Sequence, residues 1–477
     1  MAGKPILPIY PALPGFLMLL SRLFETRPDD DGLPGSQRKL ALLVLVMGTL
    51  MAVLDGGIVN IALPTMAREL QVAESHIVWV TNAYQLVTAS SLLTFAALSR
   101  RVGRHRLYMG GLAVFSLASL CCALSESLTT LLLSRILQGV GAAAMLSIGP
   151  SMYRVIFPSR LLGSAIGLGA LVVAFGIASG PSLGGLLLAV ASWPWLFAIN
   201  VPVGLVALWL AARALPREAA QPGRLDWPGA VLSATMLGSF VYGIDRLGHG
   251  AAMGEVIALL LASVALAGLF VWRLRRAKRP LVPPALFAEP RFSYAAVISM
   301  LAFTANGAAF VGLPFFYQNL MGLPPWQAAL MFTPWPLALM VAGPMAGRLA
   351  DRVNPTKLSS LGLVIFLLGM LSLALMSNTA APLDVVWRTL LCGLGYGLFQ
   401  APNNREMIGS VPLELSANAS GVLASVRTFG QSLGTALLGI VLALSFGSLQ
   451  LALWLGCAFV VVALSLSLWR IPLAARR

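Results

Sequence analysis

Charge is what this sequence has least of. Only 10% of its 477 residues are Asp, Glu, Lys or Arg and 58% are hydrophobic, whereas soluble domains carry about a quarter charged residues. That excludes a globular fold with a solvated, charged surface. Histidine is scarce: His76, His105 and His249 fall in loops or at the ends of apolar runs. No mid-membrane Ser/His or His/Asp constellation is available, which argues against an enzyme. The four cysteines, Cys121, Cys122, Cys392 and Cys457, lie in apolar runs without C-x-x-C or paired Cys/His spacing. Neither a metal site nor a disulfide framework is supported, and no cofactor is expected. A Walker-type Gly-rich Lys loop is missing, so ATP is not the expected energy source. The net charge of +15 would suit nucleic acid, but the basic residues sit in short segments between apolar runs. Membrane orientation alone accounts for them, and no nucleic-acid partner is expected.

What is present is one apolar run after another, from about Leu40 to Trp469. Fourteen reach span length, roughly 41–63, 77–98, 106–125, 128–150, 162–190, 194–213, 226–246, 254–273, 292–314, 326–347, 358–377, 384–402, 418–445 and 449–469. The expected fold is an all-α polytopic membrane protein, because helices satisfy their backbone groups internally in hydrocarbon. With the N-terminus inside, 27 of the 32 Lys and Arg residues fall in inner segments and only Arg68 and Arg246 in outer ones. Arg135, Arg388 and Arg427 lie within spans. This alternation predicts cytoplasmic termini. The patch "GFLMLL" is short and has no small-residue cleavage site after it, so the first span is expected to be its own insertion signal. The basic run "RLRRAKRP" (Arg273–Pro280) reads as an inner-face anchor for anionic lipid.

A weak internal repeat divides the chain. "AALSRRVGRHRL" (Ala96–Leu107) follows span 2 and "GRLADRVNPTKL" (Gly347–Leu358) follows span 10. Setting spans 7 and 8 aside, the two loops hold equivalent places in two six-helix halves, 41–213 and 292–469. An N-terminal segment (1–40), two additional spans (226–273) and a short tail (470–477) complete the chain. Two related halves around a midplane site are transporter architecture.

One acid stands well inside a span. Asp55, in "MAVLDGGIVNIALP" (Met51–Pro64), costs at least ~2.5 kcal/mol in hydrocarbon and marks a proton or substrate path by default. Helical rise places Asp55 about 21 Å above the inner face and Arg135 about 10 Å below the outer face. In a ~30 Å core these depths agree. An Asp55–Arg135 pair would reduce both burial costs and tune the proton affinity of the carboxylate; a static structural pair is the alternative. Gln138, one turn from Arg135, is placed to orient it. Gly176, Gly180 and Gly184 repeat every four residues in span 5, giving a bare face for close helix approach. Pro181 favours a kink, and Gly185 adds slack. Cavity candidates are Asn60, Tyr84, Asn306, Phe310, Trp335 between two prolines, and Arg427. Trp79 reads as an interfacial anchor.

Four stretches together resemble the major facilitator superfamily, specifically its fourteen-span drug:proton antiporters: "LDGGIVNIALP" (Leu54–Pro64), "RILQGVGAA" (Arg135–Ala143), "GIASGPSLGG" (Gly176–Gly185) and "WPWLFAINVPVG" (Trp193–Gly204). The resemblance implies a major facilitator fold with two extra central spans. It implicates Arg135 in proton transfer and makes Gly176, Gly180, Pro181, Gly184 and Gly185 an antiporter motif. It also gives the inner-loop residues Arg101, Gly103, Arg104, Gly347, Asp351 and Arg352 a gating role. There are departures: Ala96 and Arg100 stand where the family has Gly and Asp, Gly57 where Thr is common, and Pro194 within the usual Trp-Arg-Trp.

The expected function is proton-coupled efflux of lipophilic, cationic drugs or toxic compounds by alternating access, powered by the proton gradient. An exporter or uptake symporter of a specific metabolite is the alternative, and a membrane-embedded enzyme is a third, less favoured class. The expected partners are a small-molecule substrate, protons and the lipid bilayer, with room for a periplasmic or outer-membrane efflux partner. A monomer in a bacterial inner membrane is expected.

Overall fold

The computed structural model describes residues 23–25, 27, 30–217, 226–248, 250–277, 280–350, 352–377, 379–444 and 449–474. Among these there are helices and no strands. The long helices are α1 (Gly35–Glu69), α2 (Trp79–Val102), α3 (Arg104–Ala123), α4 (Leu128–Ile156) and α5 (Leu162–Val190). They continue with α6 (Asn200–Ala214, after a turn at Trp195–Ala198), α7 (Trp227–Gly248), α8 (Met253–Arg276) and α9 (Pro290–Phe315). The last are α10 (Pro334–Leu349, after Pro325–Phe332), α11 (Pro355–Ala374), α12 (Pro382–Gly409), α13 (Ser416–Ala443) and α14 (Leu449–Ala474). Each expected span falls on a helix. Eleven helical runs among the described residues are long and apolar enough to cross a membrane; α2, α7 and α12 have the length but fall short in apolarity.

Local chemistry sets the boundaries. α9, α11, α12 and both pieces of α10 begin on proline, whose missing N–H is not needed in a first turn. Ser127 and Thr130 form a capping box at the start of α4. Gly103, at φ 92°, makes the turn between α2 and α3. Several ends differ from the sequence expectation. α1 starts at Gly35 and runs through Pro64 to Glu69, and α12 continues to Gly409. The latter takes Asn403, Arg405 and Glu406 out of the expected loop and into the helix.

Helix packing repeats itself. α1 packs on α5 and α6, α4 on α2 and α3, and α3 on α6. Adding eight to every number gives the main contacts of the second group: α9 on α13 and α14, α12 on α10 and α11, and α11 on α14. The two groups meet along two seams, α2 with α13 and α5 with α10. α7 lies against the first seam, touching both α2 and α13, and α8 packs on α7. The Trp79 indole donates to Asp245 Oδ1 (2.8 Å), and Phe240 meets Phe429 with centroids 6.3 Å apart. Trp79 is thus a bridge to α7 rather than an anchor alone. Ion pairs close both ends of the α7–α8 hairpin: Asp226–Arg273 at 3.0 Å and Arg246–Glu255 at 2.9 Å.

Let the end of the bundle where α1 begins be the near end, and the end that holds Glu69 the far end. At the near end the segment before α1 is clamped to the α4–α5 connection. Arg38 is fully buried and donates to the carbonyls of Leu23, Glu25 and Leu33. Asp30 pairs with Arg160 (2.7 Å), and Asp31 accepts from the backbone and hydroxyl of Ser159. Arg160 holds the Asp30 carboxyl well below the usual carboxylate range, and hydrogen bonds from Ser159 lower that of Asp31.

Candidate functional site

Asp55 and Arg135 meet inside the first six-helix group. Arg135 Nη1 donates to Asp55 Oδ2 at 2.5 Å, and neither side chain has any exposed surface. Gln138 joins them: its Oε1 accepts from Arg135 Nη1, while its Nε2 donates to Asp55 Oδ1 (2.8 Å) and Ser119 Oγ (2.9 Å). Arg135 Nε donates to the Val80 carbonyl (2.8 Å). Its guanidinium lies 4.3 Å from the centroid of the Tyr84 ring and 5.6 Å from that of Phe197. Phe197 comes from the "WPWLFAINVPVG" stretch, so three of the four motif stretches supply this cluster. One helix each brings Asp55 (α1), Tyr84 (α2), Ser119 (α3) and the Arg135–Gln138 turn (α4). The two charges face one another, and hydrogen bonds hold Asp55 and the Nε and Nη1 of Arg135, which offsets much of the burial cost; Arg135 Nη2 is buried without a hydrogen-bond partner.

Next to this cluster, between the two helix groups, is a cavity of about 160 Å³. Of the cavity candidates, Asn60, Tyr84, Asn306, Phe310 and Arg427 line it. Trp335 does not: it is fully buried behind Phe310, in edge contact with Phe310 and Phe366. Its flanking prolines start a helix rather than open a pocket. Asp55, Arg135 and Gln138 do not line the cavity either. Tyr84 separates them from it, with its ring over Arg135 and its hydroxyl donating to the Ala52 carbonyl (3.0 Å). Tyr84 is also one of the residues that line the cavity. Sequence reasoning missed Gln85, Gln400, Thr428 and Gln431, which also line the cavity. For the three glutamines, amides within otherwise apolar helices were the signal available; Thr428 offered none.

The far end of the cavity is closed by contacts across the groups. Gln318 donates to the Ile61 carbonyl (2.7 Å), Arg68 donates to Asn319 Oδ1 (3.1 Å), and Asn319 donates to Glu74. Burial pushes the Glu74 carboxyl up, against the opposing pull of Asn319 and Arg68. Ser182 and Thr333 share a hydrogen bond of 2.6 Å across the α5–α10 seam. The largest buried apolar cluster follows the same division, running from Ile58–Ala67 of α1 into α9 and α10. The near half of α1, Ala41–Ala52, packs instead within its own group.

The span-5 glycines face two ways. A Cβ on Gly180 would stand 3.0 Å from Gly57 Cα, and one on Gly184 would stand 3.0 Å from Ile58 Cα. Gly176 likewise faces Val53. These three, with Pro181 beside Gly57, let α5 approach α1 within one group. The bare Gly57 is therefore matched to Gly180. Gly185 points to the other group, where a Cβ would meet Ala329 and stand 3.1 Å from the Pro325 carbonyl. Of the inner-loop residues, Arg101 and Arg352 are exposed at the near end, Arg104 is partly exposed, and a Cβ on Gly347 would face open space. Asp351 lies outside the described residues.

The second group holds its own buried network. Glu406 accepts from Thr356 (2.8 Å) and lies 3.6 Å from Arg470 and 3.4 Å from Arg291. Arg470 donates to Asn403 and Ser359. Asp55 is thus not the only acid buried in a long helix. Glu406 sits at the near end, however, and leaves Arg427 alone: among the described residues Arg427 has no hydrogen-bond or ion-pair partner.

Comparison with known proteins places these features in a family context. Residues 45–435 match the family described as Major Facilitator Superfamily. The chain is 43% identical to the uncharacterized transporter YebQ of Escherichia coli (strain K12), over 86% of this chain and 91% of that one. It is 31% identical to the riboflavin transporter RibZ of Clostridioides difficile (strain 630), covering 84% and 87%. It is also 31% identical to the multidrug resistance protein Stp of Mycobacterium tuberculosis (strain CDC 1551 / Oshkosh), covering 85% and 76%. The solved structure of the peptide transporter POT shares the fold at 14% identity, with a TM-score of 0.68 over 91% of this chain and 94% of that one.

Proposed function

This chain belongs to the major facilitator superfamily, and from that premise we propose that it is a proton-coupled exporter of lipophilic small molecules. It is a multi-pass membrane transporter and not an enzyme. We further propose that all fourteen long helices cross a bacterial inner membrane, with the near end cytoplasmic. The distribution of Lys and Arg supports that orientation.

The observation that carries the proposal is the sealed Asp55–Arg135–Gln138 cluster, one side chain away from a cavity shared by both halves. A proton on Asp55 removes its charge and frees Arg135, which then needs new acceptors. Tyr84 contacts both Arg135 and the cavity, so a change on either side alters the other's packing. Protonation from the far side and substrate occupancy then compete through one wall, and the two halves rock about the cavity to expose it to either end. The zero exposure of Asp55 favours the proton, rather than the substrate, as its ligand. The antiporter-like glycines and the likeness to Stp support export, whereas the likeness to RibZ supports the alternative of one specific metabolite.

The test is substrate-driven proton flux in proteoliposomes that contain a pH-sensitive dye, with a panel of lipophilic fluorescent compounds. Wild type should show flux on addition of a transported compound. Asp55→Asn should bind the compound yet lose the flux. Equal flux in Asp55→Asn at equal reconstitution would sink the mechanism.

A further inference from the structure

We infer that the compound carried in the central cavity bears an anionic group, a carboxylate or its equivalent, which pairs with Arg427. The inference rests on the transporter reading and names its substrate class. Arg427 is the one charged side chain among the described residues that line the cavity, and no acid faces it there. It stands about twelve residues into α13, so near mid-bundle. An unpaired guanidinium at that depth is costly, and a counter-charge that arrives with the ligand removes the cost. The Arg135 cation is not available for this purpose, because Asp55 and Gln138 already occupy it.

The surroundings of Arg427 suit an oxyanion on a flat apolar body. Gln431, one turn on, and Gln400 from α12 offer amide donors to the oxygens that the guanidinium leaves free. Phe303 and Phe310 of α9 form an aromatic wall with Asn306 between them. A lipophilic cation would meet Arg427 as a like charge with no acid to compensate. This reverses the expectation of cationic compounds drawn from the sequence.

The experiment is equilibrium binding to the purified full-length protein in detergent, by calorimetry, without a gradient. Three probes share one ring system: 2-naphthoate, 2-naphthamide and (2-naphthylmethyl)trimethylammonium. Wild type should bind naphthoate at least ten-fold tighter than either analogue, about 1.4 kcal/mol. Arg427→Gln should lose that preference while its affinity for the amide stays the same, and Arg427→Lys should keep most of it. A cation bound as tightly as naphthoate overturns the inference, as does a carboxylate preference that survives Arg427→Gln. If Arg427→Gln does not fold, the wild-type series and Arg427→Lys decide alone. Because no gradient is imposed, a failure of proton coupling leaves this result untouched and appears only in the flux assay.

Discussion

At the level of single residues, Tyr84 separates two polar systems that have opposite needs. On one side is a buried ion pair whose stability depends on its hydrogen bonds and on staying dry. On the other is a cavity that, in the proposed function, admits substrate and water. The ring contributes a cation–π contact of roughly 0.5–2 kcal/mol to Arg135 and closes the gap between them. Tyr84→Phe retains the ring and should transport nearly as wild type. Tyr84→Ala removes the wall, lets water reach Asp55, and should give a proton leak in vesicles without any substrate. A tight membrane in the Tyr84→Ala vesicles would show that the wall lies elsewhere.

At the level of helices, α5 does two jobs with one glycine series. Its Gly176, Gly180 and Gly184 hold it against α1 inside the first half, whereas Gly185 meets α10 of the second half. Substitution should therefore separate stability from transport. Gly180→Ala drives a methyl into the α1 backbone at Gly57, which cannot move aside as a side chain would, and should destabilise by about 1–3 kcal/mol. Gly185→Val leaves the half intact but obstructs the far-end seam. It should melt like wild type and lose most transport. Thermal melts of the two purified variants, beside their transport rates, check the division; a melt of Gly185→Val as low as that of Gly180→Ala would refute it.

At the scale of the whole molecule, the far end is closed by hydrogen bonds and apolar packing between the halves. Alternating access requires those contacts to break in each cycle. Ser182 and Thr333 face one another across the α5–α10 seam, so a Ser182→Cys/Thr333→Cys pair should oxidise readily. Cross-linking should stop transport and leave near-side binding intact, and reduction should restore transport. Full activity of the oxidised protein would mean that this seam does not open. α7, which touches α2 and α13 together, is placed to guide the other seam, with Trp79–Asp245 as its far-end bond.

The sequence by itself determined the composition class, the existence and order of the long helices, and the two-half repeat, because length, apolarity and basic-loop alternation are one-dimensional quantities. It also singled out Asp55 and Arg135, since a charge in hydrocarbon is conspicuous wherever it lies. The eight-helix shift in contacts, the two faces of the span-5 glycines, and the sealing of Asp55 from the cavity were decided only in three dimensions. Which side of a helix meets a cavity depends on rotation set by every neighbour, and hydropathy is blind to it. Trp335 shows the consequence: its prolines and ring suggested a cavity wall, yet packing by Phe310 and Phe366 puts it in the core. Glu406 is the converse case, a residue read as loop because its stretch is polar. Arg470, Arg291 and Thr356 converge on it from other helices and make its burial tolerable.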